Sequence, residues 1–162
     1  MKTETSPSTT LDDTFLYRFH SGEYQMLNGN GTDLNLKNII NFKNGIPGFE
    51  NLSKFIIVPL KEYPPFYVFQ SLEDPPIAML VISIKYFESQ DEIAVDKIDL
   101  VQIEANHQND TDIYFIIKMS NENNQFTANT KAPIVVNPEV LEGCQVILEN
   151  QKLQIEHPLD LA

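Results

Sequence analysis

A chain of 162 residues, 42% of them hydrophobic, is long enough for one cored domain that removes roughly two thirds of its surface from water. Twenty-three acidic residues against 11 basic ones give a formal net charge of −12. That balance argues against a binder of nucleic-acid phosphates or of anionic membrane surfaces, both of which need a basic face, and leaves two uses for the charge: a basic partner, or solubility alone.

In chain order, residues 1–13 (MKTETSPSTTLDD) are polar and predict a disordered tail, with no basic-then-apolar leader. The runs TFLYRF and EYQML predict two strands, and NGNGTD after them predicts a turn. TDLNLKNIINF predicts a half-buried strand. NGIPGF follows, with Pro47-Gly48 suited to the centre of a type II turn and Ile46 and Phe49 expected to pin it to the core from either side. KFIIVPL and PFYVFQSL predict strands separated by KEYPP. IAMLVISI predicts a strand buried on both faces, and PPIAMLVISI is far short of the about 20 residues that span a membrane as a helix.

The stretch SQDEIAVDKIDLVQIEA suits one short helix, with Asp96 as N-cap and Ile98 and Val101 three apart, although Ile98, Leu100 and Gln102 also tolerate a strand. Eight carboxylates and a single lysine, Lys97, lie between residues 88 and 112, a run that ordinarily forms a solvated face. DIYFIIKMS, APIVVN, CQVILEN and LQIEH predict the remaining strands, with turns at NENNQ and PEVLEG. The prediction is a mostly β chain: a small antiparallel β-barrel-like domain over residues 14–162 with at most one or two short helices, cytoplasmic and soluble.

Catalytic and metal motifs are sparse. His20, His107 and His157 share no ligand spacing, and Cys144, the lone cysteine, has no local base or electropositive setting and reads as a small hydrophobe. No GxSxG, P-loop or dinucleotide fingerprint occurs, and HQNDTDIY lacks the glycine of a calcium loop. The acid pairs Glu73-Asp74 and Asp91-Glu92 are sequence neighbours, which on a strand point to opposite sides. An enzyme reading, a hydrolase using carboxylates in a barrel mouth, rests on acid abundance alone. No catalytic residue, cofactor or metal is expected.

Four islands in order, NGIPGFENLSKFIIVPL, PFYVFQSLEDPPIAMLV, TANTKAPIVVNPEVLEGCQVIL and EHPL, resemble the FliW family of flagellar assembly factors over about residues 34–159. The resemblance implies a small acidic barrel-like protein without known catalytic activity and with two alternative protein partners. One is the CsrA homodimer, an mRNA-binding repressor of flagellin translation, and the other is flagellin. Flagellin would capture the factor, and its export would free the factor to bind CsrA and lift repression. CsrA antagonism could proceed by RNA mimicry or by coupling from another surface, and the resemblance favours coupling. The alternative is a flagellin chaperone without CsrA contact. No nucleic acid or membrane contact is implied, and the free protein is expected to be a monomer.

Among residues matching the family motifs, Gly45, Pro47, Gly48, Phe49, Asn129, Lys131, Pro133, His157 and Pro158 are assigned structural roles. Partner contact is assigned to Glu50, Glu73, Asp74, Tyr86 and Phe87. The sequence departs from the family in its longer amino end with NGNGTD, in a shorter segment after IKYFESQ, and at Thr130, where leucine is commoner.

Overall fold

The computed structural model describes residues 38–61, 63–73, 77–87, 90–119 and 125–159. The expected tail 1–13, the domain start at residue 14, the strands at TFLYRF and EYQML, the NGNGTD turn and Asp74 lie outside the described residues.

Among the described residues nine strands follow the chain: β1 (Ile40–Asn41), β2 (Lys54–Pro59), β3 (Phe66–Ser71), β4 (Ala78–Ser83), β5 (Asp112–Met119), β6 (Phe126–Ala128), β7 (Ile134–Asn137), β8 (Glu142–Gln145) and β9 (His157–Pro158). The β-branched and aromatic runs form β2 to β5 where the sequence predicts them. Seven strands close a ring in the order β1-β2-β3-β4-β5-β7-β8, and β8 returns to β1. The remaining two, β6 and β9, extend the sheet beyond the far end of β5. This is the barrel-like, mostly β architecture anticipated, except that the closing pair β1–β8 is parallel.

Alternation sends neighbouring side chains to opposite faces, and here both faces are apolar. Phe66, Val68, Leu80, Ile82, Phe115 and Val135 join one core. Phe55, Phe69, Val81, Ile134 and Val136 join the other. This double burial explains the unbroken apolar character of AMLVIS, which is buried from Leu80 to Ser83. In the second core Phe55 stacks on Phe69 at 4.5 Å, and Phe42 meets both edge-on at 5.1 and 5.3 Å.

One α-helix, α1 (Lys97–Gln102), is present among the described residues, with 3-10 turns at Ile84–Tyr86, Gln90–Glu92 and Gln108–Asp110. Asp96 occupies the N-cap position, but its side chain makes no capping bond; its carbonyl accepts from Asp99 and Leu100. The buried side of the helix is Leu100, continued by Ile103 and Ala105, whereas Ile98 and Val101 face solvent. A two-turn helix offers few inward positions, and the i, i+3 pair is on the other side. The Gln108 carboxamide holds the chain before α1 like a strand partner, accepting from the Val95 N–H and donating to the Ile93 carbonyl, both at 2.8 Å.

The carboxyl end departs from the strand reading. CQVILEN is strand only through Gln145, after which Val146 and Leu148 donate to the Pro133 and Lys131 carbonyls. LQIEH supplies only His157 to β9, because residues 150–153 form a turn closed by Leu153 N–H to Asn150 O. The three-residue β6 is too short to show an alternating pattern and was not anticipated.

Ring closure depends on a bare backbone at Gly143. A Cβ there would lie 2.6 Å from the Phe42 ring and 3.0 Å from Ile40 Cγ2. Phe42 is fully buried between Phe55 and Phe69 and has nowhere to retreat. Gly143→Ala is therefore expected to destabilise the fold by about 1–3 kcal/mol, the usual range for overpacking a tight core. Denaturant unfolding checks this, and an unchanged midpoint would show that the Phe42 ring yields freely.

Candidate functional site

The opening turn of the first island is built as the sequence predicts. Phe49 N–H donates to Ile46 O at 2.8 Å, and Gly48 has φ of +89°, the third-position geometry of a type II turn. At Gly45, φ is +63° and an added Cβ would come within 2.6 Å of the Glu50 Cα, so both conformation and space demand glycine. Ile46 is buried in the second core. Phe49 is not: the ring lies at the rim with 37% of its surface exposed, because Ile46 alone fills the slot beside the phenylalanine cluster. Glu50 is exposed, and its carboxylate accepts from the Gly48 N–H at 3.1 Å, bracing the turn.

This turn, α1 and β8 enclose a cleft of about 550 Å³. Gly45 and Pro47 line it from the turn, Val101 and Gln102 from the helix, and Glu142 to Gln145 from the strand. Lys43 and Glu50 also line it. Glu142 is steered by the Asn41 side-chain amide, whose nitrogen lies 3.4 Å from both carboxylate oxygens. Cys144 is half-buried here, and burial, with the nearby Asp99 carboxylate adding to it, pushes its thiol up to about 11. The thiol therefore stays protonated and unreactive near neutral pH, in keeping with a packing role.

The assigned contact residues do not gather. Tyr86 is 58% exposed at the end of a 3-10 turn. Its neighbour Phe87 turns inward, because its N–H closes that turn on Ile84 O, and packs edge-on against Phe115 at 4.8 Å and beside His157 at 5.7 Å. Glu73 is half-buried and committed to its own chain: one carboxylate oxygen accepts the Ser53 and Lys54 N–H groups at 2.6 and 2.7 Å and the Ser53 hydroxyl at 3.2 Å. These bonds serve the N–H groups at the start of β2. Of the described contact candidates, Glu50 and Tyr86 present themselves to solvent; Glu73 and Phe87 hold the fold.

The residues assigned structural roles lie in bonded turns and strand pairs. Asn129 Oδ1 accepts the Lys131 and Ala132 N–H groups at 3.1 Å, forming a turn that leads into buried Pro133. His157 and Pro158 pair with Ala128 and Thr127. Thr130 is more than a minor variant: buried, it exchanges hydrogen bonds with the Gln154 backbone through its hydroxyl and its N–H, tying the carboxyl segment down. Sequence reasoning missed the cleft, since its parts lie some 50 residues apart, about 45 to 100 and to 143, and the solvent-facing Val101 was the only local signal.

The backbone bonds to Glu73 favour its ionised form and hold its carboxyl below the ordinary glutamate range. A depressed folded pKa contributes stability above the unfolded value, and that contribution disappears as pH falls through the folded pKa. Glu73→Gln is expected to lower Tm at neutral pH, with the gap to wild type narrowing at acid pH as the wild-type carboxyl itself takes up a proton. Parallel melting profiles at neutral and acid pH would contradict the role.

Comparison with known proteins completes the assignment. The FliW protein family model matches residues 28–159. A flagellar assembly factor FliW from Bacillus pumilus (strain SAFR-032) is 37% identical, over 76% of this chain and 86% of that protein. One from Clostridium botulinum (strain Alaska E43 / Type E3) is 35% identical over 76% of this chain and 87% of that protein. A crystal structure of the flagellar assembly factor FliW superposes with a TM-score of 0.69 at 32% identity, covering 78% of this chain and 88% of that one. With the family model spanning most of the chain and the same ring of strands in a solved member, the chain belongs to the FliW family of flagellar assembly factors.

Proposed function

We propose that this assembly factor works by binding proteins rather than by catalysis, alternating between CsrA and flagellin in the cytoplasm. Bound to flagellin, it leaves CsrA on the flagellin message; released when flagellin is exported, it binds CsrA and relieves repression. The observation that carries this reading is the pairing of a net charge of −12 with solvent-exposed aliphatic side chains, Ile98 and Val101, beside a cleft rimmed by Glu50 and Glu142. Exposed carboxylates guide a basic RNA-binding protein toward the surface and reject acidic competitors, while apolar contacts lower the rate of dissociation. CsrA antagonism by coupling from a surface outside the RNA site fits this division, because a surface that holds the repressor need not imitate RNA to lower its affinity.

Calorimetric titration with purified CsrA, repeated after saturation with flagellin, tests the switch. Binding that vanishes in the presence of flagellin is expected. Binding that persists unchanged would mean two independent surfaces, and no binding to CsrA would leave a flagellin-only chaperone. A rise in salt is expected to slow association with CsrA more than it speeds dissociation, as measured by surface-based or stopped-flow kinetics; salt-independent association would remove the carboxylates as the guide.

A further inference from the structure

We infer that the cleft between the Gly45–Glu50 turn, α1 and β8 is a docking groove for a basic segment of a protein partner that carries an aliphatic anchor, an inference that rests on the partner-binding reading above and gives it a place. Its size, about 550 Å³, is in the range of sites that bury a few side chains. Ile98 and Val101, 72% and 64% exposed, are neighbours at i, i+3 on the helix, and Val101 reaches the cleft wall. Two aliphatic side chains held in water on so short a helix contribute nothing to the core below them, where Leu100 is the buried residue. Their burial against a partner would recover that lost apolar area.

The charge of the rim selects the partner. Glu50 and Glu142 face the cleft against a single lining lysine, Lys43. Glu50 is braced by a backbone N–H and Glu142 by an uncharged amide, and among the described residues neither lies within ion-pair distance of a cation. Both carboxylates are thus positioned in advance for incoming lysine or arginine. A second copy of this chain would bring −12 against −12 and set like charges at the rim, so it is disfavoured as occupant. Gly45 and Gly143 both line the cleft, and at either position a side chain would collide with the packed fold behind it.

The test uses the full chain, isotopically labelled, titrated with a short synthetic peptide alternating lysine with leucine and with a control peptide in which serine replaces leucine. The expected result is saturable amide shifts confined to residues 45–50, 98–102 and 142–145. Affinity should fall about tenfold or more for the serine peptide and for the double variant Ile98→Ser/Val101→Ser, whose exposed positions leave the melting temperature near wild type. Shifts scattered over the acidic surface, or equal affinity for peptide, control and variant, would overturn the groove. Titration of the same variant with CsrA and with flagellin separates the two readings. Partners that bind wild type and variant equally would overturn the groove and leave the proposed function standing. Partners that bind neither protein, while the peptide saturates the cleft, would overturn the function and leave the groove.

Discussion

The contact on which the rest of the molecule depends is the close approach of Phe42 to Gly143. It allows β1, two residues long, to lie against β8 and close the ring. The backbone pairing of that junction is the single register pair Asn41–Glu142, flanked by Asn41 N–H to Leu141 O at 2.8 Å and by the long side-chain contact from Asn41 to Glu142. Apolar packing therefore carries the closure. Three phenylalanine rings, all fully buried, fill the space behind it. Aromatic pairs in these geometries add about 0.5–1.5 kcal/mol each beyond their area.

The same junction makes the surface that we assign to partners. The chain leaves β1 through Phe42, Lys43 and Asn44 and turns at once through Gly45 to Gly48, and the Gly45 N–H donates to the Phe42 carbonyl at 2.9 Å. The turn is therefore tied to the closing strand, while α1 lies across β8 with Asp99 close enough to influence Cys144. The cleft is the space left where turn, helix and closing strand meet. A groove built at the least redundant contact of a barrel has a rigid floor on the packed side and short, solvent-facing edges on the other. That arrangement suits a docking surface, because a preformed groove loses little freedom when a partner binds.

Much of the architecture was legible in the sequence because its strands are long enough to show their period. KFIIVPL, PFYVFQSL, IAMLVISI and DIYFIIKMS carry alternating or doubly buried patterns, and Pro47-Gly48 fixes a turn whose chemistry has few alternatives. What the sequence concealed was short or relational. β6 and β9 have three and two residues, below the length at which alternation speaks. Ile98 and Val101 have helical spacing, but spacing does not say which side of a helix faces inward, and Leu100 took the core. Phe49, Phe87 and Glu73 show the same difficulty from the other direction: residue type favours an anchor or a contact, yet position at the rim, on Phe115, or beside the Ser53 and Lys54 N–H groups decides the role. The family resemblance located the motifs but not the cleft, since Val101 belongs to none of the four islands.

Amide hydrogen exchange on the protein alone and bound to CsrA tests the central claim most directly, that partners engage the molecule where its ring closes. The account predicts added protection at residues 44–50, 97–103 and 141–145, with exchange at β6 and β9 unchanged. Protection concentrated instead around Phe126–Ala128 and His157–Pro158, with the closing junction unaffected, would contradict it.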